Sequence, residues 1–208
     1  MRTKLSQGHS DAPLLLYVGR LGLEKSLDKL KKVLDRMPTA RLALVGTGPY
    51  EDKLKAVFKD YPGVYFAGQM VGVELSQAYA SCDVFVMPSE TETLGFVVME
   101  AMASGLPVIG ARAGGLIDLI EHDKTGYLVT PNEDMVEFTD CVKKVVDNIE
   151  IRARMSEEAL QWSQQWSWEA ATSKLRNIQY QKALRLHRLA RDDQGRYIRD
   201  IEAAIMDS

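Results

Sequence analysis

Two cysteines, Cys82 and Cys141, are all the thiols in the 208 residues, and neither lies in a Cys-x-x-Cys motif or a Cys/His cluster. That scarcity argues against a disulfide scaffold or a zinc site and reads as two buried thiols in a reducing compartment. The three histidines, His9, His122 and His187, are scattered and form no ligand spacing. Charge of one sign is also lacking: 26 basic against 29 acidic residues leave a net charge of -3. There is no general attraction to nucleic acid, and the first two-thirds carry no basic stripe interleaved with aromatics. Apolar runs such as Val84 to Pro88 are far too short for a membrane span. Residues 1 to 13 are polar and lack the apolar stretch of a secretory signal. No repeat, low-complexity tract or Gly/Ser-rich linker is present. What remains, 46% hydrophobic and 26% charged residues, is ordinary for a soluble globular chain of one or two domains.

Apolar runs of strand length alternate with helix-like segments. Leu14 to Val18 reads as a first buried strand, and Ser26 to Arg36 as a helix with Leu27, Leu30, Val33 and Leu34 on one face. Strands are expected at Ala40 to Val45, Val64 to Ala67, Val84 to Met87, Val108-Ile109 and, more weakly, Gly126 to Val129. Helices are expected at Glu51 to Phe58, Val73 to Ala80 and Phe96 to Ser104, with almost wholly helical chain from Asp134. Near-continuous apolar strands, each followed by a helix, describe a doubly wound parallel α/β sheet covered on both faces. Ligands of such sheets sit beyond the carboxyl ends of the strands.

The candidate site residues all fall on those strand-to-helix turns. The first, Gly19-Arg20-Leu21-Gly22-Leu23-Glu24-Lys25-Ser26, combines close backbone approach, a helix start and two cations, Arg20 and Lys25. A diphosphate clamp and a merely solvated turn both fit this segment taken alone. The second, Gly46-Thr47-Gly48-Pro49-Tyr50-Glu51, fails as a dinucleotide fingerprint because Glu51 stands at the third glycine position and the pair follows the second strand. It reads as a tight turn shaping a pocket wall, which weighs against an NAD-type oxidoreductase. The central segment runs from Pro88 to Val108 and holds Glu92 in a loop and Glu100 about one turn into a helix. Helical spacing puts Glu100 on the face of Phe96 and Ala103, where a carboxylate is costly unless it meets donors such as vicinal ribose hydroxyls. Gly95 would free backbone N–H groups at the helix start for a phosphate. Without that surrounding pattern, a surface acid and a salt-bridged helix acid would explain the two glutamates. Gly114-Gly115 is a further close-approach device, Asp118 a first-turn acid and Gly126 a turn residue.

Together these segments resemble the group 1 retaining glycosyltransferases. The glutamates eight apart in Glu92-Thr93-Leu94-Gly95-Phe96-Val97-Val98-Met99-Glu100, followed by Ala101-Met102-Ala103-Ser104-Gly105-Leu106-Pro107-Val108, carry the likeness. Gly19-Arg20, Lys25, Gly46-x-Gly48-Pro49 and Gly114-Gly115 extend it over residues 13 to 175. The resemblance implies a two-domain GT-B enzyme of which this chain is the Rossmann-like donor-binding half. It assigns Arg20 and Lys25 to the donor diphosphate and Glu92 to the transferred sugar, these three being the catalytic residues. It assigns Gly19 and the backbone of Thr93, Leu94 and Gly95 to donor binding, Glu100 to the ribose, and implies no metal or other cofactor. Gly19 to Leu27, Leu75 to Ser81 and Met87 to Gly95 are further similar to the plant and algal sulfoquinovosyltransferases, including serine rather than glycine at position 26. That likeness implies a UDP-sulfoquinovose donor, a diacylglycerol acceptor at a membrane surface and a chloroplast location.

The expected organisation is an inter-domain lead-in over residues 1 to 12, a nucleotide-sugar-binding domain over 13 to 165 and a helical segment over 166 to 208. The acceptor domain of such enzymes finds no counterpart in the chain, so the expectation is a half enzyme that binds donor weakly and transfers little. A catalytically inactive nucleotide-sugar-binding or regulatory module is the alternative. Trp166 and Trp168 read as packing residues. Lys182, Arg185, His187, Arg188 and Arg191 offer a basic face for anionic lipid, although Asp192-Asp193 interrupts it and favours a solvated helix.

Overall fold

A computed structural model of the chain describes residues 1–130, 132–166 and 181–189. The chain divides into two units, Met1–Ser163 and Gln164–Ser208. The first holds a six-stranded sheet of β1 (Leu14–Val18), β2 (Arg41–Val45), β3 (Val64–Gly68), β4 (Val84–Met87), β5 (Val108–Ala111) and β6 (Gly126–Val129). All neighbouring strands are parallel, in the order β3-β2-β1-β4-β5-β6. Every residue of β1, β4, β5 and β6 is buried, as continuous apolar strands require when both faces are covered. The doubly wound parallel sheet expected from the sequence is therefore the fold. Strand order reverses between β1 and β4, and the crevice at such a switch point is where ligands of open α/β sheets bind.

The helices of this unit are α1 (Arg2–Leu5), α2 (Leu30–Arg36), α3 (Glu51–Val57), α4 (Gly72–Ala80), α5 (Phe96–Ala103), α6 (Leu116–Leu119), α7 (Val136–Val146) and α8 (Ile149–Ser163). One of the expectations changes. The helix predicted from Ser26 begins only at Leu30, because Ser26 adopts a left-handed conformation (φ 52°) and separates two short 3-10 turns, Leu23–Lys25 and Leu27–Lys29. The polar lead-in over residues 1 to 12 folds onto the amino end of the sheet. Leu5 is fully buried, and the Arg2 guanidinium donates to Asp83 at 2.8 Å and to the carbonyls of Ser10, Ala12 and Ser81. Asp83 also accepts the Leu14 N–H, so one carboxylate ties α1 to the first residue of β1. Cys82 and Cys141 are free thiols, and burial pushes them up to about 12 and about 11.

In the second unit the described residues form a 3-10 turn, Gln164–Trp166, and helix α9, Gln181–Leu189. Lys182, Arg185 and His187 are exposed on α9. Trp168, Arg191 and the Arg188 side chain lie outside the described residues, as does most of the expected C-terminal helical extension.

Candidate functional site

The turn after β1 is braced from below and from the side. Gly19 has φ 148°, and a Cβ there would lie 2.9 Å from the Tyr17 hydroxyl oxygen. That hydroxyl donates to the Arg20 carbonyl at 3.0 Å. Burial, helped by the charges of Glu92 and Glu24, raises the Tyr17 phenol far above its ordinary value, so it is a permanent donor. From the side, the N–H groups of Gly19 and Leu21 donate to the carbonyls of Val45 and Thr47, each at 2.9 Å. Cβ atoms on Gly46 and Gly48 would lie 2.0 Å from the Gly19 carbonyl oxygen and 2.4 Å from that of Leu21. The Gly46-x-Gly48 turn thus holds the first turn.

The second glycine pair does the same for the loop after β4. A Cβ on Gly114 would lie 2.3 Å from the Glu92 carbonyl oxygen, and one on Gly115 would lie 2.1 Å from that of Thr93. The Gly115 N–H donates to the Glu92 carbonyl at 2.8 Å. The close approach inferred for these glycines is between two loops of the chain. Ser89, fully buried and missed in the sequence, contributes a hydroxyl within 3.4 Å of the Glu24 carbonyl, between the β4 loop and the β1 turn.

Lys25 and Glu92, 67 residues apart, meet across the switch point. Lys25 Nζ donates to Glu92 Oε2 at 2.9 Å, with the two side chains 16% and 18% exposed. Glu92 Oε1 accepts the Gly95 N–H at 3.1 Å, and Gly95, at φ 63°, opens α5. Burial pushes the Glu92 carboxyl up, yet Lys25 and the N–H groups of Gly95 and Thr93 outweigh it and hold the group below its ordinary value. The Gly95 N–H expected to be free for a phosphate is therefore engaged by this carboxylate. Arg20, the other cation of the expected clamp, is exposed and pairs with Glu24 one turn on.

A hollow of about 310 Å³ lies at this junction, lined by Tyr17, Gly19, Arg20, Lys25, Glu92 and Phe96 among others. A second, of about 390 Å³, shares Gly19 and Arg20 and extends past Gly46 and Thr47 to Gln69 and Met70. Gln69 and Met70 escaped the sequence reading; the sign that points to them is Gly68, which leaves β3 at φ 69°.

Glu100 stands apart. The face it shares with Phe96 and Ala103 is exposed, Phe96 being 63% exposed, so the expected burial among apolar neighbours is corrected. Its Oε2 accepts a hydrogen bond from the Tyr79 hydroxyl at 2.8 Å, and it lines neither hollow. Thr93 and Leu94 are exposed at the loop crest. Among the described residues, no group of three or more His, Cys, Asp or Glu is arranged to hold a metal ion.

A carboxylate pinned at a helix start, a lysine across the switch point and a second carboxylate eight residues later form a specific constellation. Residues 3–162 match the family described as Glycosyl transferases group 1. The chain belongs to that family. It is 50% identical over 190 residues to the sulfoquinovosyl transferase of Arabidopsis thaliana, covering 88% of this chain and 36% of that one. It is 42% identical over 134 residues to a GDP-mannose-dependent alpha-mannosyltransferase of Mycobacterium tuberculosis, covering 64% and 34%. This group 1 chain thus spans about a third of the length of those curated relatives. Among solved structures, it is similar to an Anabaena protein in complex with UDP (TM-score 0.74, 25% identity, 87% of this chain and 52% of that one). It is also similar to the sucrose-phosphate synthase of Thermosynechococcus elongatus (TM-score 0.75, 27% identity, 85% and 47%).

Proposed function

We propose that this group 1 glycosyltransferase chain binds the activated-sugar donor of a retaining transfer, with UDP as the nucleotide. The observation that carries the reading is the meeting of Lys25 and Glu92 at the hollow beyond β1 and β4. Bond breaking at the anomeric carbon throws negative charge onto the diphosphate, and preorganised cations and backbone N–H groups stabilise that charge best. Lys25, Arg20 and the N–H groups at the start of α5 are the groups for that work, with Glu92 turning to the sugar hydroxyls. Glu100 takes the ribose hydroxyls. The second hollow, toward Gln69 and Met70, takes the base.

The likeness to a sulfoquinovosyl transferase supports sulfoquinovose as the transferred sugar. The resemblance of Gly19 to Leu27, Leu75 to Ser81 and Met87 to Gly95 to the plant and algal enzymes is what adds diacylglycerol as acceptor and the chloroplast as location to the proposal. Among the described residues no helix is long and apolar enough to cross a membrane, so a lipid acceptor would be met at its surface. The acceptor pocket belongs to a companion domain of the GT-B kind.

Calorimetry of the chain with UDP, GDP and UDP-sulfoquinovose tests the donor half of the proposal. Saturable UDP binding, at least about tenfold tighter than GDP and weakened about tenfold or more in Lys25→Ala, is the expected result. Equal binding of UDP in Lys25→Ala would remove Lys25 from the diphosphate. Transfer is tested by supplying a companion acceptor domain. Donor binding without transfer in that assembly would favour the alternative, a nucleotide-sugar-binding module.

A further inference from the structure

We infer that Tyr79 is a positioning residue that sets the Glu100 carboxylate for a vicinal diol. The inference rests on the reading of Glu100 as the ribose residue and deepens it by naming what aims that carboxylate. Tyr79 lies near the carboxyl end of α4 and is 2% exposed. Its ring packs on Phe85 of β4 with centroids 6.1 Å apart, so the phenol is held by the sheet that carries the site. The hydroxyl emerges at the α5 surface and donates to Glu100 Oε2 at 2.8 Å. Burial, with the Glu100 charge and this hydrogen bond, holds the phenol far above its ordinary value, so the donor does not titrate.

The chemistry of a diol explains why this arrangement is useful. Two adjacent hydroxyls donate in parallel to a carboxylate, which has about four acceptor positions on its two oxygens. On an exposed helix face an unrestrained glutamate samples many rotamers, and few present both oxygens outward. A single phenolic donor fixes one oxygen, leaves Oε1 open, and does so without cancelling the charge. A lysine in that place would fix the side chain and also neutralise it. Tyr79 orients Glu100 by a hydrogen bond from a neutral group rather than by an ion pair.

The test compares affinities for UDP and 2′-deoxy-UDP on the full chain by calorimetry, in wild type and in Tyr79→Phe, Glu100→Gln and the double variant. A hydrogen bond to a charged group accounts for roughly ten- to hundredfold, so wild type should prefer UDP by about that ratio. Glu100→Gln should bring the ratio near unity. Tyr79→Phe should cut it by about three- to tenfold while leaving 2′-deoxy-UDP affinity within about twofold. The double variant should match Glu100→Gln. An undiminished ratio in Glu100→Gln would remove Glu100 from the ribose, and with it this inference. A lost ratio in Glu100→Gln with a full ratio in Tyr79→Phe would overturn the positioning role alone. So would equal weakening of both nucleotides in Tyr79→Phe, the mark of a merely structural tyrosine. Should Tyr79→Phe not fold, Tyr79→Met, which fills the buried space with an adaptable apolar chain and removes the donor, asks the same question. A reduced ratio there with 2′-deoxy-UDP affinity kept supports the inference, and a full ratio overturns it.

Discussion

Glu92 and Glu100 stand on the same loop-helix segment, eight residues apart, yet they live in opposite electrostatic surroundings. Glu92 is mostly buried, paired with a lysine and capped by backbone N–H groups. Glu100 is on an exposed helix face and meets one neutral phenol. The first is neutralised before any ligand arrives, and its partners are those a diphosphate would want. The second meets no cation among the described residues and has one oxygen open. On the proposed reading the two identical side chains serve different tasks: Glu92 would be displaced or turned when the donor binds, and Glu100 would need only to be aimed. The loops differ in the same sense. Glycines 114 and 115 clamp the Glu92 loop by backbone contact, whereas the Glu100 region is an ordinary helical turn packed beside α8.

The largest expected effect comes from breaking that clamp. Gly115→Ala would put a Cβ 2.1 Å from the Thr93 carbonyl oxygen, a backbone atom that can yield only by moving the loop. Overpacking of this kind costs about 1–3 kcal/mol, or several degrees of melting temperature in a domain of this size. UDP affinity should fall with it. Ala103→Ser, a comparable addition on the exposed Glu100 face, should stay within about 0.5 kcal/mol. A Gly115→Ala protein that melts with the parent would show that the clamp is slack.

Next is the ion pair itself. Lys25→Ala leaves the Glu92 carboxylate with backbone donors alone. The pair is neither solvated nor fully buried, so its loss should cost about 1–2 kcal/mol in urea denaturation, between the values for exposed and buried pairs. Lys25→Ala combined with Glu92→Gln should recover much of that, because no orphan charge remains. A double variant as unstable as the single one would mean that Lys25 acts through packing.

How far the site could be read in advance follows from the kind of information each residue carries. Strands such as β1 and β4 are fully apolar, so their burial and parallel pairing were legible in composition alone. Lys25 and Glu92 were singled out as candidates by turn position and by the family resemblance, but their mutual pairing was not legible. It depends on β1 and β4 being neighbours, which is a property of topology. The glycine pairs announced close approach without saying to what, and both approach other backbone. Tyr79 and Ser89 lay within segments that carry the family likeness but had no role assigned, since a tyrosine in a helical pattern or a serine in a loop looks the same whether or not it is engaged. Leu5 was hidden because one leucine among polar residues makes no periodic pattern.

The pH dependence sharpens the contrast between the two carboxylates. Glu92 is held below its ordinary value in the folded chain, so the stability it contributes is fully present above the ordinary carboxylate value of about 4.3 and is lost as pH falls through the lowered one. Thermal melts of wild type and Glu92→Gln should differ by a constant amount from about pH 7 to about pH 5, then converge as the pH falls below the ordinary carboxylate value and through the lowered one. Taking the difference removes Glu121, Asp123 and Glu133, which are also held low by their neighbours and titrate alike in both proteins. A gap that stays constant to the acid end would mean that the Glu92 charge contributes nothing.

The smallest effect is expected one residue past Lys25. Ser26 takes a left-handed conformation, φ 52° and ψ 33°, between two 3-10 turns, whereas α5 on the Glu100 side runs without interruption. A residue with a Cβ is strained there by about 1 kcal/mol or more, and glycine is not. Glycine in turn gives the unfolded chain more freedom, which costs about 0.4–1 kcal/mol. The two terms nearly cancel, so Ser26→Gly should stabilise the chain by less than about 1 kcal/mol and leave UDP affinity within about twofold. Ser26→Ala, which keeps the strain, should not stabilise at all. If glycine instead loosened Lys25 from Glu92, the variant would lose both stability and affinity. The serine would then be holding the lysine in register.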